Sequence, residues 1–158
     1  MWAMLVDIET TVAAPRALVW DVLVDWESQS DWMVDAVEIE VVSGQRAGVG
    51  TTVRCPTRIL GIVIPDVVRV SEWRQRERLA VVHLGSPLVQ GGAAFDLADT
   101  ADMGTHVRWT EDVPVPFGPI GAVLGPVVIQ PLLRLVFNRS LGRLKRRCEA
   151  LSQPLSSA

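Results

Sequence analysis

Three polar residues fall where an apolar strand face would otherwise continue. Asp66 shares period-two parity with Ile62, Ile64, Val68 and Val70, His83 with Leu79 and Val81, and Glu111 with Val107, Trp109 and Val113. A carboxylate on an apolar face loses its water, so its pKa rises and it can act as an acid or base. An imidazole beside it can shuttle the proton, which is the chemistry of aldol cyclisation or dehydration. The same three groups could instead orient a ligand by polar contacts. They could also lie at strand ends in water if a bulge reverses the parity. Pro65 disrupts the strand next to Asp66, so its parity rests on less than that of the other two.

Other chemistries find less support. His106 has the opposite parity to Val107 and Trp109 and should face solvent. Two histidines and two cysteines occur without metal-ligand spacing, so neither a metal nor a cofactor is expected. Cys55 and Cys148 read as small buried hydrophobes. Gly48-Val49-Gly50 lacks a third glycine and a following helix, which makes it a hairpin turn rather than a phosphate loop. The chain has no Tyr, which excludes a phenolic acid or base. Trp26, Trp73 and Trp109 are expected in ordinary core packing, whereas Trp32 and Met33 follow a short helix and suit a cavity portal.

The elements that must position these groups follow from periodicity. Met4 to Ala13 alternates apolar and polar, as a half-buried strand does. Pro15 opens a helix whose stripe is Leu18, Val19, Val22, Leu23 and Trp26, and a shorter helix covers Ser28 to Met33. Strands are predicted over 35–43, 50–59, 62–73, 78–85, 90–98 and 105–113, and a last amphipathic helix over about 130–152. Between them, Val113 to Leu133 carries no charge but five prolines and three glycines. Its prolines predict a loop rather than a continuous helix, which argues against a membrane span. That loop, Pro114 to Pro126, should cap the cavity or pack in a dimer contact, with Phe117, Ile120 and Leu124 turned partly inward.

Strands joined by short turns imply an antiparallel meander, and the long helix must bury its stripe against it. The expected class is therefore α+β: a seven-stranded curved sheet around a C-terminal helix, two short helices after strand 1, one domain over 1–152, and a flexible tail over 153–158. With 158 residues, 49% apolar, the chain can build such a core, and its 25 valines favour pleated surfaces. A net charge of −3 argues against nucleic-acid binding. The charge is uneven: residues 1–44 carry nine acids and one base, residues 134–158 six bases and one acid. A solvated helix back explains this, as does a surface for anionic lipid or an acidic partner. With no secretory signal, a cytoplasmic monomer or homodimer is expected.

The order of elements and four motifs resemble the SRPBCC superfamily, also called START-like or birch-pollen-allergen-like, in its bacterial polyketide cyclase/dehydrase-like branch. The most specific stretch is Thr10–Trp26, a strand–Ala-Pro–helix signature; Gly48–Thr51, Arg78-Leu79 and Gly104–Trp109 also match. The resemblance implies a helix-grip fold with a hydrophobic cavity between sheet and C-terminal helix, taking a lipid, a polyketide or another apolar small molecule. Strand residues expected to line it are Val68, Val81, His83, Phe95, Trp109 and Glu111. Phe117 is expected from the loop, and Leu133 and Phe137 from the helix. The three functions this leaves are a hydrophobic-ligand carrier, a cyclase/aromatase-type enzyme, and an interaction protein using its basic helix.

Overall fold

Strand β1 (Ala3–Val12) follows its period-two pattern, burying Met4, Val6, Ile8 and Val12 and turning Leu5, Glu9 and Thr11 to solvent. This is a computed structural model, and it describes residues 3–85, 90–115 and 118–154. Helix α1 (Arg16–Leu23) buries Val19, Trp20, Val22 and Leu23. A 3-10 turn (Trp26–Ser28) and the one-turn helix α2 (Gln29–Trp32) follow.

The remaining strands are β2 (Glu40–Val41), β3 (Thr52–Arg54), β4 (Thr57–Ile59), β5 (Ile62–Ile64), β6 (Val67–Arg74), β7 (Arg78–His83), β8 (Gly92–Asp99) and β9 (Thr105–Pro114). Seven form one antiparallel sheet in the order β1-β9-β8-β7-β6-β3-β2, while β4 and β5 pair only with each other. The strands expected over 50–59 and 62–73 are thus each split. Pro56 and Pro65 cannot donate to a ladder, so the chain leaves the main sheet after Arg54 and rejoins it at Val67. The expected strand over 35–43 shrinks to Glu40–Val41 and one bridge, Ala36 to Thr57.

The larger correction concerns the proline-rich segment, which is helical. Helix α3 (Gly118–Leu124), a π turn (Gly125–Ile129) and α4 (Gln130–Ser152) form one continuous 35-residue helix. Pro119 lies in its first turn, where a missing N–H costs nothing. Pro126 lies within the π turn and Pro131 just after it, and the Gln130 N–H donates five residues back to the Gly125 carbonyl. That wider turn keeps each ring off the carbonyl four residues behind it. The helix is long and apolar enough, by length and composition, to cross a membrane. Its second half, however, is core: Phe137, Ser140, Leu141, Leu144 and Cys148 are buried, with Leu133 and Val136 half-buried at the margin.

The expected inward lid does not form. Ile120 and Leu124 point to solvent, and the inward positions of this stretch are Val115, Gly121 and Gly125. Gly125 packs closely there: an added Cβ would stand 3.0 Å from the Val115 side chain. Phe117 lies outside the described residues.

The helix runs alongside β1 in the same direction. Gln130 Nε2 donates to the Leu5 carbonyl at 3.0 Å, Lys145 Nζ to the Thr11 carbonyl, and the Ala13 N–H to Glu149 Oε1 at 2.9 Å. Facing helix and sheet, the ring of Trp109 stacks between Phe95 (4.9 Å) and Phe137 (4.6 Å). This helix-grip arrangement makes a simple contrast testable. Leu144→Ala should cost about 3 kcal/mol, as core leucine truncations do, and Leu135→Ala, half exposed on the same helix, under about 0.5 kcal/mol. Urea midpoints of the two variants measure the difference, and equal losses would contradict the packing of α4.

Candidate functional site

Antiparallel pairing brings one end of each central strand together: the His83 end of β7, the Gly92 end of β8, the Pro114 end of β9 and the Val67 end of β6. On the inner face, Ala93 lies across from Val81 on one side and from Glu111 on the other. Its short side chain leaves room between the two larger neighbours. A cavity of about 90 Å³ occupies that space, lined along the strands by Val68, Val81, His83, Phe95, Trp109 and Glu111. All six belong to the expected lining.

Asp66, His83 and Glu111 meet there. Asp66 precedes β6, outside any strand, yet its side chain is buried and its Oδ2 lies 2.6 Å from His83 Nδ1. Asp66 Oδ1 accepts the Val67 N–H at 2.8 Å, and the Cys55 thiol reaches Oδ2 at 3.8 Å. Gly85 lets the chain after β7 pass directly over this carboxylate: a Cβ there would come within 2.7 Å of Asp66 Cα. The parity argument fails for its neighbours, since Ile62 is exposed on the separate hairpin.

With Asp66 on Nδ1, Nε2 is the remaining ring nitrogen of a side chain that lines the cavity. His83 Nε2 is buried without a hydrogen-bond partner, and Glu111 Oε1 stands 3.9 Å away, beyond hydrogen-bond reach. Burial on its own would lower the His83 pKa, but the hydrogen bond and charge of Asp66, with the charge of Glu111, outweigh it and hold it above its ordinary value. Burial pushes Glu111 up to about 7, against the opposing charge of His83 and the nearby Trp109 indole, while the charges of Asp35 and Asp66 raise it further. Burial and Asp66 push the Cys55 thiol up to about 12, which keeps it protonated and inert as a nucleophile.

Several expectations need correction. Leu133 and Phe137 do not line the cavity; the Phe95–Trp109–Phe137 stack fills the space beneath the helix at that level. Trp32 is no portal. It is fully buried, edge-on to Phe95 at 6.2 Å, and only Met33 of the pair reaches the cavity. The Val34 N–H, donated to Ser140 Oγ at 2.9 Å, ties this segment to α4.

Sequence reasoning missed Gln29, Asp35, Ala36 and Thr57, which also line the cavity. Burial raises the Asp35 carboxyl above its ordinary value, against a backbone hydrogen bond that lowers it. These residues belong to short or irregular segments without a period, so no pattern could have flagged them. Cys55, which reads from the sequence as a small buried hydrophobe with a reactive thiol as the alternative, lines the cavity too. Outside the cavity, His106 is half-buried on the outer face of the sheet, 3.1 Å from Glu9.

A family model described as polyketide cyclase/dehydrase and lipid transport matches residues 4–149. The chain belongs to that family. Membership indicates hydrophobic small-molecule binding or cyclase chemistry. Solved structures share the fold. One is a protein of Thermus thermophilus (TM-score 0.80, 20% identity, covering 95% of this chain and 100% of that one). Another is a START superfamily protein from Mycobacterium smegmatis (0.74, 16%, 93% and 98%). A third is the Zhui aromatase/cyclase from Streptomyces sp. R1128 (0.71, 21%, 97% and 100%). No curated protein sequence matches the chain.

The buried cluster sets a direction for pH dependence in this family member. Glu111 titrates at 4.5 ordinarily and at about 7 here, so its protonated form favours the fold. That contribution is complete below about pH 4.5 and is lost as pH rises through about 7; the rise corresponds to on the order of 3 kcal/mol. Asp35 and His83, both raised, act in the same direction, the histidine above pH 6.5. Urea unfolding should therefore show greater stability at pH 5 than at pH 8, and Glu111→Gln should flatten most of the difference. A wild type as stable at pH 8 as at pH 5 would refute this electrostatic picture.

Proposed function

We propose that the cavity takes a small, largely apolar molecule bearing a carbonyl group and that His83 and Glu111 move protons at that group, with Asp66 orienting His83. The observation that carries this reading is the buried, unpartnered His83 Nε2, backed through Nδ1 by a buried carboxylate. A buried polar atom without a partner is costly, and a ligand oxygen would satisfy it. In a pure carrier of apolar cargo such a cluster would serve no purpose.

Asp66 accepts from Nδ1–H, fixes the ring and stabilises the imidazolium. The Nε2–H of that imidazolium donates to the substrate carbonyl oxygen and, as an acid, transfers its proton there. Glu111, as carboxylate, takes the proton from the carbon next to the carbonyl. The product is an enol, with the proton lost from carbon on Glu111 and that from His83 on oxygen. The enol carbon can then attack a second carbonyl in an aldol closure, and loss of water completes a dehydration. A base titrating near 7 suits this work at neutral pH. The aromatase/cyclase of Streptomyces sp. R1128, which shares the fold, carries a name consistent with this reading.

Size restricts the substrate. About 90 Å³ is well below the roughly 300–1,000 Å³ of pockets for drug-sized ligands. The cavity thus holds a small ketone or the reactive end of a longer chain, and a whole polyketide would require it to widen. Deuterium exchange at the α-carbon of small aryl methyl ketones and 1,3-diketones, followed by NMR in heavy water, tests the chemistry. Wild type should accelerate exchange, and His83→Ala or Glu111→Gln should each slow it by about a hundredfold. Melting shifts with the same ketones that persist without any exchange would leave a binding protein and refute the proton-transfer role.

A further inference from the structure

We propose that the end of the molecule holding the cavity docks on a lipid bilayer with anionic head groups. Two separate elements project there. Because Gln130 is tied to Leu5, near the start of β1, and Lys145 to Thr11, the helix residues before Gln130 overhang that end of the sheet. Ile120, Val123, Val127 and Val128 on this overhang are exposed, Val127 by 71%. The second element is the β4–β5 hairpin, which leaves the main sheet at the same end, between β3 and β6. Leu60 and Ile62 at its tip are exposed by 82% and 68%.

The tip is built against the usual preferences of a soluble turn. Leu60 has φ 49 and Gly61 φ 82, so a leucine occupies the left-handed region where glycine or asparagine is favoured. An exposed leucine in a strained position contributes nothing to the core. An apolar layer outside the protein would bury it.

The charges near this surface fit an anionic partner. No acid occurs between Asp112 and Glu149. Arg134, Arg139, Arg143 and Arg146 follow the overhang on the helix, and none forms an ion pair among the described residues. In β4 and β5 the one charged residue is Arg58. A bilayer offers an apolar layer bordered by anionic head groups, which complements an apolar tip followed by a basic stretch. A second copy does not. Parallel helices would set arginine on arginine, and antiparallel ones would lay Arg134 and Arg139 on the partner's apolar tip.

The contact is interfacial rather than spanning. From Gly118 to Leu133 the helix extends about 24 Å, short of a hydrocarbon core of about 30 Å, and the turns beyond belong to the protein core. The inference does not depend on what the cavity binds.

Flotation with vesicles of phosphatidylcholine, with and without phosphatidylglycerol, tests it. Wild type should float with phosphatidylglycerol vesicles at least about tenfold better than with phosphatidylcholine alone. Leu60→Asp and Val127→Asp should each reduce flotation by about tenfold, as should Arg134→Glu combined with Arg139→Glu. Met103→Asp, exposed by 85% at the opposite end of the sheet, should float like wild type. Melting curves check folding; should Val127→Asp not fold, Leu60→Asp decides, because its hairpin lies outside the main sheet. Absence of flotation, flotation indifferent to phosphatidylglycerol, or tip variants that float normally would each overturn the proposal. So would a dimer in analytical ultracentrifugation that Val127→Asp dissolves, since that face would then belong to a second copy.

Discussion

The stack of Phe95, Trp109 and Phe137 decides where this fold is solid and where it is hollow. A curved sheet gripping a helix encloses more space than small side chains fill, and three rings in near-parallel contact close most of it. Trp32, edge-on to Phe95, extends the closure toward α2. What stays open is the region at the strand ends, where Ala93 faces Val81 and Glu111. Aromatic packing, in which Trp109 takes the core role expected of it, is therefore mainly what keeps the pocket small.

That location brings ionisable groups together at a cost. Asp66, His83, Glu111 and Asp35 all line one cavity, and burial penalises their charged forms unless partners compensate. The compensation is unequal. Asp66 has His83, the Val67 amide and the Cys55 thiol, and His83 gains more from Asp66 and Glu111 than burial takes away. Glu111 has a histidine at 3.9 Å, beyond hydrogen-bond reach, so burial dominates and it titrates near 7. A carboxyl raised by burial beside an imidazole raised by its partners is the arrangement on which the proposed base and acid roles rest.

The sequence was most legible where a period governs. Alternation in β7 and β9 placed His83 and Glu111 on the inner face, and amphipathic periodicity over about 130–152 placed the last helix against the sheet. It misled where one residue changes the local rule. Prolines that ordinarily end a helix are absorbed here by a single π turn, a geometry no spacing announces. Pro56 and Pro65 convert two expected long strands into a sheet with a side hairpin, because a missing donor matters only once the pairing partner is known. Asp66 reached its expected site by another route, from a break between strands rather than from the parity of one.

The irregular segments also set the chemistry of the strands. Glu111 lies three residues from the end of β9, where a side chain would ordinarily meet water and keep an ordinary pKa. Its surroundings are completed by Asp35 and Ala36 from the loop after α2 and by Cys55 and Thr57 from the base of the hairpin. Gly85 brings the chain after β7 down over Asp66 in the same way. The strand faces choose which side chains point inward, but these loops remove the water. A relative that kept all three polar residues and lost Pro56, Pro65 or Gly85 would retain the alignment of the site without its electrostatics, so the three residues alone are not the signature of this buried cluster.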